Sequence, residues 1–244
     1  MKPKTFNDFA SLAKKKISSA NKVDFPDRNI DIYMREKVAV DLASCLPGID
    51  KTGKIVLDVG CGCDLISELV NEFMYEDDLL LLVDSREMLK NVNLDYEKCL
   101  IKKLPGKFPN VPKLFKEYTG KVDYIICNSV IQYVLQEKDG YFEFIDRALS
   151  LLKSGGYLLI SDIPNKSKAR RFFSTKEGVK YHQKKNKTKT KPIVKIDTNK
   201  DIDDYDIVAI LSGYREQGYD TYLLPMSSDL EFSNRREHIL IRKY

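Results

Sequence analysis

One stretch constrains the fold more than any other: KIVLDVGCGCDLISELV, residues 54–70. An apolar run, Ile55 to Leu57, leads into Asp58. Two glycines two apart, Gly60 and Gly62, follow, with Cys61 between them and Cys63 after. From about Leu65 the spacing turns helical. A continuous apolar run bounded by a turn signal reads as a strand covered on both faces. A strand, then Gly-x-Gly, then a helix lets the backbone approach a ligand closely and points free helix N–H groups at it.

The rest of the chain repeats this alternation. Helix-like spacing covers residues 5–20 and 29–46, the second through Ile32, Val38, Leu42 and Leu46 up to Pro47-Gly48. LLLLVD (79–84) reads as a buried parallel strand, followed by a helix over 86–92. CLIKK (99–103) is a weaker third strand, VDYIICN (122–128) the fourth and YLLISD (157–162) the fifth. Residues 139–153 form an amphipathic helix with Phe142, Ile145, Leu149 and Leu152 on one face, stopped by Ser154-Gly155-Gly156. A helix over 203–216 leads to TYLLP (221–225), and HILIRKY (238–244) closes the chain. Strands alternating with helices predict a doubly wound α/β fold: a mostly parallel seven-stranded sheet with helices on both faces. The segment before HILIRKY has no helical pattern, so the C-terminal strand is expected to pair antiparallel at the sheet edge.

The 244 residues suit one α/β domain with additions. No apolar run approaches the ~20 residues that span a bilayer. The N-terminus is basic without an apolar core, so it does not read as a secretory signal, and the cytosol is the default location. Five cysteines, an odd number, sit in apolar runs or at the glycine turn and read as reduced thiols. Cys-x-Cys alone is a poor zinc signature, and no second Cys/His pair stands at ligand spacing, so no metal is expected.

A dinucleotide site wants G-x-G-x-x-G, and the third position here is Leu65. A nucleoside site needs less: the open turn, plus a carboxylate at the end of the next strand for the ribose hydroxyls. Asp84, ending LLLLVD, is that carboxylate.

Four stretches in order, LDVGCG (57–62), LLVDSREML (81–89), VDYIICNSVIQYV (122–134) and ALSLLKSGGYLLISD (148–162), resemble class I, Rossmann-like S-adenosylmethionine-dependent methyltransferases. The resemblance covers roughly residues 30–244. It implies S-adenosylmethionine as cofactor, S-adenosylhomocysteine as product, and transfer of a methyl group to oxygen or nitrogen. Asp58 resembles the acid that organises the turn near the methionine end of the cofactor. Gly60, Cys61 and Gly62 lie where the cofactor backbone passes. Asp84 resembles the carboxylate that accepts both ribose hydroxyls, with Ser85 and Arg86 flanking the adenine. Lys103 and Leu104 occupy the position that meets the adenine edge. Asn128 and Ser129 end the fourth strand near the methionine ammonium, and Ser129, Gln132 and Tyr133 line the path to the acceptor. Tyr33 and Arg35 belong to an N-terminal cap, residues 1–50, that closes over the cofactor; Arg35 would pair with its carboxylate. There are two departures from the family pattern. Asp64 stands where a third glycine is usual, where it would cap the next helix, and lysines stand where an acid often follows the third strand.

Residues 166–200 hold 13 Lys/Arg and 2 Asp/Glu in a chain whose net charge is +5. They are the part least like a packed element and form a basic insertion, about 164–202, in the catalytic domain 51–244. The insertion follows the fifth strand on the cofactor side. A phosphate-bearing acceptor would meet Lys184, Lys185 and Lys187 there. RNA would use the same cations with Phe172, Phe173 and Tyr181 as stacking groups. Three further residues carry expectations: His182 as a general base, Tyr133 as an acceptor contact, and His238 as a structural residue opening the last strand. The tail LPMSSDLEFSNRREHILIRK resembles bacterial methyltransferases of surface-polysaccharide and sugar-nucleotide pathways. That favours a sugar or nucleotide-linked sugar as acceptor. RNA methylation is the alternative; it lacks an N-P-P-Y-type motif after the fourth strand. A non-catalytic cofactor-binding subunit is the third reading.

Overall fold

The computed structural model describes residues 5–17, 32–63, 65–92, 98–134 and 140–244. Asp64 lies outside them, as do 18–20 and 29–31 of the two N-terminal helical stretches. In chain order the described elements are α1 (Phe6–Ile17), α2 (Ile32–Ser44), β1 (Ile55–Val59), α3 (Ile66–Phe73), β2 (Leu79–Asp84), α4 (Arg86–Asn91), β3 (Leu100–Pro105), α5 (Pro112–Tyr118), β4 (Val122–Asn128), α6 (Ile131–Val134), α7 (Gly140–Leu151), β5 (Leu152–Pro164), α8 (Lys166–Phe173), α9 (Lys176–Lys185), α10 (Asp204–Glu216), β6 (Asp220–Pro225) and β7 (Arg236–Arg242).

The apolar strands make one seven-stranded sheet in the order β3-β2-β1-β4-β5-β7-β6. Alternate side chains along a strand point to opposite faces, and the core divides accordingly. Leu57, Val59, Leu81, Val83, Ile125 and Cys127 pack with α5, α7 and α10 on one face. Val56, Leu80, Leu82 and Ile126 pack with α2, α3 and α4 on the other. This is why the strands read as unbroken apolar runs. β7 is the reversed strand, antiparallel to both neighbours, and lies one place in from the edge, which β6 forms. The chain runs outward from β1 through β2 to β3, then returns to lay β4 on the other side of β1. That reversal puts a ligand crevice at the carboxyl ends of β1 and β4.

Some elements differ from expectation. The third strand runs on to Pro105, so Lys103 lies within it, not after it. In α7 the buried face is Tyr141, Phe144, Ile145, Ala148 and Leu149, and Phe142 is exposed. The helix ends at Leu151, and Ser154-Gly155-Gly156 falls inside β5. There Gly156 lies so close to the Asp123 carbonyl that a Cβ would sit 2.9 Å from it. α5, which opens at Pro112, was not expected, although Val111, Leu114, Phe115 and Tyr118 fall on one face and pack in the core. The basic insertion, expected to be loosely packed, starts as two helices. Asn165 and Thr175 cap them through their side chains. Gly178 lets them touch, because a Cβ there would overlap the Phe172 carbonyl.

Candidate active site

The glycine turn is built from backbone hydrogen bonds between β1 and β2. Gly60 N–H donates to the Val83 carbonyl (2.8 Å) and Cys61 N–H to the same oxygen (3.3 Å). Gly62 N–H donates to Asp84 Oδ2 (2.9 Å), and Ser85 N–H to Asp84 Oδ1 (2.6 Å). Ser85 Oγ in turn accepts from Met88 N–H and caps α4 (3.1 Å). Gly60 and Gly62 have φ of +68° and +61°, the left-handed region that glycine enters without a Cβ clash. The two need glycine for further, different reasons. A Cβ on Gly60 would lie 2.5 Å from Val130 Cγ2, so the loop after β4 packs directly on the turn. A Cβ on Gly62 would project into open space. That space is where a ligand can lie against the backbone.

Asp58 and Asp84 are 3% and 9% exposed. Burial, and next the neighbouring Asp84, push the Asp58 carboxyl up to about 7. Burial also raises Asp84, against the opposing hydrogen bonds from Gly62 and Ser85. Two crowded carboxylates favour a cationic ligand, which relieves their repulsion. Burial, and then Asp58, hold the Cys61 thiol well above its usual range, and burial does the same to Cys127. Neither is a thiolate near neutral pH. All five cysteines are free. Among the described residues no group of three His, Cys, Asp or Glu side chains is placed to hold a metal ion.

The remaining predicted site residues fall into two sets. Asn128, Ser129, Gln132 and Tyr133 gather at the end of β4, beside the turn. Asn128 Oδ1 accepts from Ser161 Oγ (3.0 Å) and Gln132 Nε2 donates to the Ser129 carbonyl (2.8 Å). The Tyr133 ring meets Phe9 of α1 edge-on, with centroids 5.1 Å apart. α1 also packs on α4, so it bridges the loops after β2 and β4. Leu104 is buried at the end of β3. The other set is exposed or has partners of its own. Lys103 Nζ donates to the Val92 carbonyl (2.9 Å). Arg86 and Tyr33 are exposed, and the Tyr33 ring carries Lys37 Nζ 4.6 Å from its centroid. Arg35 Nε lies 3.6 Å from Glu68 on α3. His182 sits on α9, with Nδ1 3.1 Å from Asn186 Nδ2 and its ring edge against Phe173. Lys185 is bound to Glu231 and Tyr181.

Asp162, Arg236 and Asp41 carry no sequence motif of their own yet stand in one polar network. Ser129 Oγ and Arg236 both donate to Asp162 Oδ2 at the carboxyl end of β5. The signal available was an aspartate ending an apolar strand, the same signal that marked Asp84. A cleft of about 450 Å³ opens at the opposite, amino-terminal end of the strands, lined by Gly48, Lys51, Lys54, Tyr124 and Tyr157 among others. Lys54 there is spent on buried Asp78 and Lys153 on Asp123, and the glycine turn is at the other end of the sheet.

The sheet order, the open turn over Gly62 and the acid ending β2 define a class I, Rossmann-like S-adenosylmethionine-dependent methyltransferase. The family profile described as a methyltransferase domain matches residues 30–188, and the chain belongs to that family. Solved structures share the fold. Phosphoethanolamine N-methyltransferase 1 of Haemonchus contortus, in complex with phosphoethanolamine and S-adenosylhomocysteine, is 15% identical with a TM-score of 0.59. That match covers 97% of this chain and 48% of the other, so this chain spans about half of that relative's length. Magnesium protoporphyrin IX methyltransferase from Synechocystis PCC 6803, with bound S-adenosylhomocysteine, is 17% identical with a TM-score of 0.54, over 98% and 96% of the two chains. The plantazolicin methyltransferase BpumL is 14% identical with a TM-score of 0.57, over 98% of each. No curated protein matches the sequence. No helix among the described residues is long and apolar enough to cross a membrane.

Proposed function

We propose that the protein methylates a small anionic molecule, a sugar or nucleotide-linked sugar of a bacterial surface-glycan pathway, in the cytosol. The observation that carries this reading is the join between the basic insertion and the end of β5. Lys168 Nζ donates to the Arg236 carbonyl (2.6 Å) and lies 3.7 Å from Glu237. Arg235 stacks on Tyr181 and Phe232, and Arg236 reaches Asp162. The insertion thus stands beside the polar group of Ser129, Asp162 and Arg236. Lys176, Lys180, Lys184, Lys187, Lys189 and Lys191 have no carboxylate within ion-pair reach among the described residues. Uncompensated cations on an insertion joined to that polar group suit an acceptor with phosphate and hydroxyl groups. The five free thiols suit a reducing compartment.

When bound, S-adenosylmethionine supplies an activated sulfonium methyl. In this reading Asp84 takes the ribose hydroxyls, the Gly60–Gly62 turn carries the cofactor backbone, Leu104 meets the adenine, and Asn128 and Ser129 lie by the methionine end. Residues 1–50 act as a cap; α1, packed on α4 and Tyr133, excludes water from the crevice. Arg35 exchanges Glu68 for the cofactor carboxylate. Gln132 and Tyr133 face the acceptor, and His182 on α9 takes its proton if the insertion folds over the crevice.

RNA is the weaker reading. Phe172, Phe173 and Tyr181, its expected stacking groups, are engaged with one another at centroid distances of 5.1 to 6.3 Å and with Arg235. The test is label transfer. The purified protein is incubated with methyl-labelled S-adenosylmethionine and source-cell extract, and the products are separated. Label in small molecules is expected. Label in RNA would overturn the reading, and label nowhere despite cofactor binding would indicate a partner-dependent subunit.

A further inference from the structure

Ser129 and Asp162 have left-handed backbones, φ 58° and 56°, and stand side by side at the carboxyl ends of adjacent strands. Among the described residues Lys187 is the one other non-glycine residue in that region. A residue with a Cβ occupies this conformation at a cost, and such positions gather where a side chain must be aimed. At Asp162 the cause is visible. β5 and β7 lose register between Ile160 and Ile163. The bulge turns the Asp162 carboxylate toward β4, where Ser129 Oγ and Arg236 Nη1 donate to it.

The bulge is held from below. Asp162 N–H donates to His238 Nδ1 (3.1 Å), and His238 Nε2 lies 2.9 Å from Asp41 Oδ2 on α2. Asp41 Oδ1 also accepts from Ser227 N–H (2.8 Å). His238 is 1% exposed and Asp41 6%. Because Nδ1 accepts, a neutral ring carries its proton on Nε2 and donates it to Asp41. One chain of hydrogen bonds therefore runs from α2 through β7 to the backbone of Asp162. Holding two strands together requires no buried carboxylate and imidazole. This pair pins the backbone N–H of Asp162, the residue whose side chain leaves the bulge.

We propose that Asp162 is the carboxylate that orients the acceptor, taking a hydrogen bond from one of its hydroxyls, and that His238, held by Asp41, is the positioning residue that aims it. The assignment deepens the small-molecule reading above and rests on it. Arg236 beside Asp162 then faces the acceptor's anionic part.

The experiment compares Asp162→Asn, His238→Asn and His238→Gln with the parent. An asparagine at 238 keeps an oxygen near the Nδ1 position and loses the partner of Asp41. A glutamine reaches Asp41 and loses the acceptor for Asp162 N–H. S-adenosylhomocysteine affinity, by calorimetry, is expected to stay within about twofold for all three. Methyl transfer is then measured against serial dilutions of the small-molecule fraction of source-cell extract. Asp162→Asn and His238→Gln should raise the half-saturating amount roughly tenfold, and His238→Asn, which keeps the acceptor for Asp162 N–H but frees Asp41, should raise it by a smaller factor. Imidazole nitrogen NMR of the parent should show Nδ1 bare and Nε2 protonated. Unchanged saturation in Asp162→Asn, equal saturation of the two His238 variants, or a protonated Nδ1 would each overturn the assignment. If the parent labels RNA instead, the small-molecule reading falls, and the same comparison against that RNA decides Asp162 separately.

Discussion

At the scale of single residues, the site is a matter of where carboxylates end their strands. Asp84 accepts from Gly62 N–H of the glycine turn and from its neighbour Ser85 N–H, and is the proposed ribose acceptor. Asp84→Ala removes charge-assisted hydrogen bonds worth about 1.5–3 kcal/mol each. S-adenosylhomocysteine affinity should fall by roughly a hundredfold; calorimetry showing parental binding would remove Asp84 from the site. Asp58 gives a pH signature. Its carboxyl is raised to about 7 in the folded chain from 3.8, so between those values the folded state holds the extra proton. The stability linked to it therefore falls as pH rises through that window. Denaturant melts without cofactor should show the parent losing about 2–3 kcal/mol relative to Asp58→Asn between roughly pH 5 and pH 8. Parallel pH profiles would show that Asp58 does not titrate there. Both aspartates were legible in the sequence, because a strand ending in an acid before a turn or helix is a local pattern. Asp162 ends its strand in the same way, yet its aim depends on His238, 76 residues away, and no local pattern carries that.

At the scale of elements, amphipathic helices and apolar strands declared themselves, while the helices of the basic insertion did not. α8 and α9 have few apolar residues, and their aromatic rings are spent against each other and against Arg235 of the β6–β7 connection. What lets them form is capping by Asn165 and Thr175 and the close approach at Gly178. Gly178→Ala should drive α8 and α9 apart. Trypsin should then cut between residues 166 and 200 several-fold faster than in the parent, with S-adenosylhomocysteine affinity kept. Equal cutting would mean the hairpin does not depend on that contact. The length of β5 was hidden for a similar reason. Gly155 and Gly156 look like a helix stop, but the chain continues as a strand because Gly156 lies flat against the β4 backbone.

At the scale of the whole molecule, charge is divided. The insertion holds 13 Lys/Arg against 2 Asp/Glu, while the chain's net charge is only +5, so the remaining body is acidic. An anionic acceptor drawn to the insertion should show a KM that rises several-fold from low to about 0.5 M salt, as screening shortens the reach of exposed charges. Replacing Lys184, Lys187 and Lys191 with Gln should raise the low-salt KM and flatten that dependence, sparing cofactor affinity. Lys185 is left in place because it binds Glu231. A KM indifferent to both changes would return the insertion to a solvated surface. The sequence by itself determined the doubly wound sheet, the glycine turn and the acid at the end of β2, since each is written in a few consecutive residues through strand periodicity and glycine's freedom at positive φ. Only the tertiary structure decided where β7 inserts, how the bulge at Asp162 faces Ser129, and which insertion cations are already paired. Those follow from contacts between residues far apart in the chain, where packing and hydrogen-bond satisfaction, not local preference, select one arrangement.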